Sequence, residues 1–161
     1  MRVIICDDEK STCAEVENML RDFAFEKCMK LEVDVFFDGT ALTEYLKREK
    51  APDILFLDIE LPGMDGVEVG KYVRDILRNL HMFLVYISSK EEYALELFQN
   101  QPFDFLIKPI KKNDCIMLWK KYFVFLTKAS VILSIKIRET VTGLCIRTFC
   151  IFKVMDEKLI L

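Results

Sequence analysis

Ile54-Leu55-Phe56-Leu57-Asp58 is the stretch on which the fold turns: four apolar residues closed by a carboxylate. A short continuous apolar run suits a strand buried on both faces of a parallel sheet. A charged residue that closes it emerges at the strand's C-terminal end, where open α/β sheets place their sites. A second such run, Arg2-Val3-Ile4-Ile5-Cys6, is closed by Asp7 and Asp8. Three carboxylates are thus expected in one crevice. Crowded carboxylates repel unless protonated or bridged by a cation, and oxygen-only donors suit Mg²⁺. The crevice reads as a place for a metal ion and a phosphoryl group.

Outward from these two runs, strand and helix patterns alternate. Cys13, Val16, Leu20 and Phe23 recur at helical spacing, and Leu31 to Val35 alternates as a strand. Leu42, Tyr45 and Leu46 form a short helical stripe that ends near Pro52. A helix with Val69, Val73, Ile76 and Leu77 turned inward follows the loop holding Pro62-Gly63 and Asp65-Gly66. Next come a strand from Met82 to Ile87, a fourth helix around Tyr93, Leu97 and Phe98, a strand from Phe105 to Ile107, and a fifth helix with Ile116, Trp119 and Phe123. Five βα units in a row predict an α/β fold, a doubly wound five-stranded parallel sheet of the flavodoxin type. Past Thr127 the composition turns to Val, Ile, Phe and Thr. Ser130–Arg138, Leu144–Val154 and Lys158–Leu161 read as consecutive antiparallel strands, a short β-rich C-terminal segment.

The chain of 161 residues holds one full domain and a remainder too small for an ordinary second one. Residues 1–127 carry 17 Lys/Arg against 23 Asp/Glu, whereas residues 128–161 carry 6 against 3. This change of sign supports a boundary between a domain at 1–125 and a linker with β segment at 126–161. No signal-type stretch opens the chain and no apolar run reaches 18 residues, so a cytoplasmic protein without a membrane partner is expected. Six scattered cysteines and one histidine fit neither a zinc site nor a disulfide framework; buried, reduced thiols are expected.

Individual residues sharpen the chemistry. Asp58 can attack phosphorus as carboxylates do in covalent catalysis, with Mg²⁺ held by Asp8 and Asp58 screening the incoming charge. Lys108, at the end of the fifth strand before Pro109, stands on the same sheet edge and can pair with Asp58 and later with a phosphoryl oxygen. Pro109 suits a cis bond in a tight turn. Ser88 closes the fourth strand, where its hydroxyl can donate to a phosphoryl group; Ser89 reads as a helix cap. Phe105 reads either as sheet-edge packing or as a ring that changes rotamer when Ser88 moves.

Cys6-Asp7-Asp8-Glu9, the stretch Leu57 to Gly66, Ile87-Ser88 and Phe105-Leu106-Ile107-Lys108-Pro109 together resemble, in order and spacing, the receiver domain of bacterial two-component response regulators. The resemblance covers residues 1 to about 125. It implies phosphoryl transfer from a sensor histidine kinase to Asp58, with Mg²⁺ placed by Asp7, Asp8, Asp58 and the Glu60 carbonyl. It also implies that Lys108 and Ser88 read the phosphoryl group, and that Phe105 is an aromatic switch. A homodimer through the fourth helix, fifth strand and fifth helix belongs to the same expectation. Such a receiver modifies itself and is not a turnover enzyme. Lys90 and Glu60 lie where this family tunes the lifetime of its phosphoaspartate.

Tyr93 to Phe98 and Phe103 to Ile110 are similar to receivers that precede a LytTR-type DNA-binding domain, and Ser134–Arg138 with Phe149–Leu161 resemble that domain's opening strands. The resemblance implies a transcriptional output with DNA as a partner. The chain stops early in that module, before the strands that carry base-contacting loops, and a basic tail offers only salt-sensitive phosphate contact. The competing readings are a stand-alone receiver acting through protein contacts, and a phosphatase or phosphotransferase using Asp58. The enzyme class favours a second Asp where Glu60 stands. A flavin protein of similar fold is disfavoured because Asp7-Asp8-Glu9 repels a cofactor phosphate.

Overall fold

The structure is a computed structural model that describes residues 1–90, 92, 93 and 97–140, without the side chains of residues 98 and 129–140. It divides into two compact units, Met1–Ile116 and Met117–Leu161. The first contains strands β1 (Arg2–Cys6), β2 (Glu32–Phe36), β3 (Ile54–Asp58), β4 (Phe83–Ser88) and β5 (Asp104–Ile107). All neighbours run parallel, in the order β2-β1-β3-β4-β5. The predicted doubly wound sheet is present, each strand lying within one residue of its expected limits.

Burial explains the strand sequences. Every residue of β3 is buried, and β1 and β4 are buried beyond their first residues. Successive side chains point to opposite faces. Ile4, Cys6, Leu55, Leu57, Leu84 and Tyr86 therefore join one core cluster with Leu42 and Leu46 of α2 (Gly39–Arg48) and Val69 of α3 (Gly66–Lys71). On α1 (Lys10–Glu26) the buried positions are Cys13, Val16, Leu20 and Ala24, the stripe of a half-buried helix.

The starts of α2 and α3 follow local polar chemistry. Asp38 caps α2 by accepting from the Ala41 amide at 2.7 Å, and Asp65 and Glu68 form a reciprocal capping box on α3. The helix predicted through Leu77 changes character after Lys71: Tyr72–Ile76 forms a π-helical turn, with the Leu77 amide bonding to the Tyr72 carbonyl at 3.0 Å. The wider turn rotates the stripe. Val69 and Val73 stay buried, while Ile76, expected inward, is 66% exposed. Of the fourth predicted helix, the described parts are Glu92 and Tyr93, the latter helical, and a 3₁₀ turn at Leu97–Asn100; residues 91 and 94–96 lie outside the described residues.

The fifth predicted helix is α4 (Lys112–Thr140). Its course corrects one reading, since Ser130–Arg138, expected as a strand, is helical. No Gly or Pro occurs from Ile110 to Thr142. Once nucleated, a helix gains one hydrogen bond per residue fixed, which outweighs the modest strand preference of Val and Ile. The expected boundary at 125/126 falls inside this helix. The strands read at Leu144–Val154 and Lys158–Leu161 lie outside the described residues. In the second unit, Leu118, Trp119 and Tyr122 are buried, and the Trp119 ring meets Tyr122 edge-on with centroids 5.8 Å apart. No described helix is long and apolar enough to cross a membrane.

Candidate functional site

Three strand ends and one strand-to-helix junction build the site. The β1 ladder extends one residue further, through the Asp7 amide bonded to the Phe36 carbonyl at 3.1 Å, which fixes Asp7 at the sheet edge. Asp58 is the last residue of β3, opposite Ile87 of β4. Ser88 ends β4 opposite Ile107, and the Lys108 amide donates to the Ser88 carbonyl at 2.9 Å. Parallel register therefore brings Asp58 and Asp7, 50 and 101 positions from Lys108, to one edge with it, and the Lys108–Pro109 peptide is cis, as read from the sequence.

Lys108 is the centre of the arrangement. Its ammonium donates to Asp58 Oδ2 at 3.0 Å and lies 2.9 Å from Asp7 Oδ2, an ion pair off the hydrogen-bond axis, with Glu9 Oε2 at 3.7 Å. Asp7 is fully buried and Asp58 is 3% exposed. Burial raises the Asp7 pKa above its ordinary value, partly offset by contact with Lys108 and the Glu9 amide. For Lys108, burial alone would lower the pKa; pairing with Asp7 and Asp58 outweighs it, and the net direction is up. One lysine thus holds two carboxylates that repel each other.

The remaining carboxylate oxygens are also placed. Asp7 Oδ1 accepts from the Glu9 amide at 2.9 Å, and Asp58 Oδ1 from the Ile59 amide at 2.8 Å. Asp8 is exposed, and Asp7, Asp8 and Asp58 offer ligand atoms within 4.8 Å of one another. This donor set fits a hard divalent cation: all oxygen, two ligands buried and preplaced, one open to water. The loop after Asp58 folds back over the edge as expected, since the Gly66 amide bonds to the Ile59 carbonyl at 2.9 Å. A Cβ on Gly66 would stand 2.1 Å from the Asp58 carbonyl oxygen, so this close return requires glycine.

Ser88 is buried, its Oγ accepting from the Lys90 amide at 3.1 Å. The Lys90 ammonium forms an ion pair with Glu60 and sits 5.7 Å from the Tyr93 ring centroid. Phe105 is half-buried and packs on the core cluster. Two contacts had no sequence signal of their own: Glu9 beside Lys108, and the Cys13 thiol donating to the Asp7 carbonyl at 3.3 Å. Burial pushes that thiol up to about 11, so it remains a neutral donor.

Comparison with known proteins agrees with this geometry. Residues 3–119 match the family model described as the response regulator receiver domain. Protein MrkE of Klebsiella pneumoniae is 29% identical over 121 residues, covering 75% of this chain and 42% of the relative. Transcriptional regulatory protein YpdB of Escherichia coli K12 is 28% identical over 113 residues, 70% of this chain and 43% of the relative. The chain therefore matches less than half the length of these relatives. The crystal structure of the MrkE response regulatory domain superimposes with a TM-score of 0.67 at 29% identity, covering 79% of this chain and 99% of that one. The chemotaxis response regulator CheY4 of Vibrio cholerae gives 0.64 at 20% identity, covering 74% of this chain and 96% of that one, a likeness of fold. With the family model spanning most of its length, the chain belongs to the response regulator receiver family.

Proposed function

We propose that this chain is a phosphorylation-switched receiver in which Asp58 accepts a phosphoryl group from the phosphohistidine of a sensor histidine kinase. The observation that carries this reading is the buried Asp58 carboxylate held by Lys108 beside Asp7 and Asp8. An Asp58 carboxylate oxygen forms the bond to phosphorus while the phosphorus–nitrogen bond breaks and the electron pair stays on the kinase imidazole. Mg²⁺, held by Asp7, Asp8, Asp58 and the Glu60 carbonyl, would supply positive charge to the phosphoryl oxygens.

The chain's own groups do the rest. Lys108 offsets part of the crevice's negative charge before transfer, and afterwards its ammonium is free to pair with a phosphoryl oxygen. Ser88 exchanges the Lys90 amide for that same group, and Phe105 follows as the aromatic switch. This is a signalling event, one modification per molecule, and not turnover catalysis. Residues 1–125 are taken as the receiver and 126–161 as the segment that follows it, joined to it through α4. The output is taken to be transcriptional, a reading supported by the relative named as a transcriptional regulatory protein and by its additional length; a cytoplasmic setting and dimerisation through the predicted fourth helix, β5 and the fifth helix belong to the same proposal.

The test is direct. Incubation with Mg²⁺ and acetyl phosphate should give one hydroxylamine-labile phosphoryl adduct by mass spectrometry, absent in Asp58→Ala. An adduct that persists in Asp58→Ala, or none in the parent protein, would refute the assignment.

A further inference from the structure

The connection from β4 to β5 is held very differently at its two ends. At the β4 end, the Lys90 ammonium pairs with Glu60, both side chains nearly half exposed, and the Lys90 amide bonds to Ser88 Oγ. Exposed pairs of this kind contribute little. At the other end, Arg74 reaches from the π-helical turn and donates to four backbone carbonyls: Asn79, Met82 at 3.1 Å, Asn100 at 2.9 Å and Gln101 at 3.1 Å. Among the described residues no carboxylate pairs with it. A half-buried guanidinium is here devoted to neutral acceptors, two of which close the 3₁₀ turn Leu97–Asn100, whose last carbonyls lack partners within the turn.

Asn100 locks the same point from inside. It is 2% exposed, and its Nδ2 donates to the Tyr86 hydroxyl at 2.9 Å and to the Val67 carbonyl at 3.0 Å. Gly70 leaves room for this cluster, since a Cβ there would lie 1.8 Å from the Tyr86 oxygen. The π turn gives the arrangement its reason, because it sets the register of Arg74 toward both neighbouring segments.

We infer that Arg74 and Asn100 form a fixed pivot, so that rearrangement at Ser88 displaces the connection near Lys90 while Leu97–Gln101 stays in place. The inference rests on the phosphoreceiver reading for its trigger, but the pivot itself is testable without it. In the unmodified protein, hydrogen exchange should show the amides of Leu97–Gln101 more protected than those of Ser89 and Lys90. Arg74→Lys, which keeps the charge but loses the planar fork, should speed exchange at Leu97–Gln101 about tenfold or more and leave Ile54–Asp58 unchanged. Tyr86→Phe, a gentler change, should act in the same direction. After acetyl phosphate and Mg²⁺, exchange should change at Ser89 and Lys90 alone in the parent protein, and at both places in Arg74→Lys. Unaltered protection in both variants, or equal changes at both ends of the phosphorylated parent, overturns the pivot. Failure to form the adduct refutes the Asp58 reading instead, and the unmodified variants still decide the pivot.

Discussion

Replacing Lys108 by Met keeps most of the side-chain volume and removes the one charge between Asp7 and Asp58. At the effective dielectric constant of about 20 that describes protein ion pairs, each contact near 3 Å is worth roughly 5 kcal/mol of gross attraction. The two carboxylates, with ligand atoms within 4.8 Å, repel by about 3 kcal/mol on the same scale. Desolvation of the ammonium cancels much of the attraction, and breaking a buried pair typically costs about 3–5 kcal/mol. Urea denaturation in EDTA should show that loss at about pH 8. The pH dependence has a definite sign. A carboxylate whose folded pKa is raised, as that of Asp7 is, contributes stability that is present below its unfolded pKa and lost as pH rises through the folded one. Without Lys108 the folded value moves further up, so the variant's deficit should be full at about pH 8 and shrink by half or more near about pH 5. A deficit that stays constant across this range, or one under about 1 kcal/mol, would show that Lys108 does not hold the crevice together.

Asp7→Asn should have the opposite effect on the metal-free protein, raising stability near neutral pH by about 1 kcal/mol because a desolvated charge disappears. The same variant should lose most of the thermal stabilisation that saturating Mg²⁺ gives the parent, about 2.7 kcal/mol at a hundred times Kd. Gly70→Ala should cost about 1–3 kcal/mol through its clash with the Tyr86 hydroxyl. Combining it with Tyr86→Phe should recover about 1 kcal/mol of that in a double-mutant cycle, and strict additivity would count against the contact.

The sheet was legible because its signal is local and redundant. Each of β1, β3 and β4 is a continuous apolar run that has no other stable use in a chain of this size, and the polar residue closing each run falls at the same edge. Asp7, Asp58 and Ser88 could be named for that reason, and Lys108 because it follows the short fifth strand at the same edge. Ile76 was expected inward and lies outward, because the π turn changes the spacing along the stripe and nothing in Tyr72–Ile76 announces it, while Leu77 still packs against the core. Ser130–Arg138 departs from its expected strand for a related reason: side-chain preference argues for a strand, while an uninterrupted helix propagating from Lys112 decides the matter.

By itself the sequence determined the parallel sheet, the strand ends that carry acids, serine and lysine, and the likeness to receivers, since these follow from hydrophobic periodicity and fixed motifs. Tertiary structure alone decided that one ammonium spans Asp7 and Asp58, that Glu9 and Cys13 attend the crevice, and that Arg74 gathers four carbonyls from two loops. Such contacts join residues up to 101 positions apart through side chains a few ångströms long. Only the packed register of neighbouring strands can bring those atoms within reach.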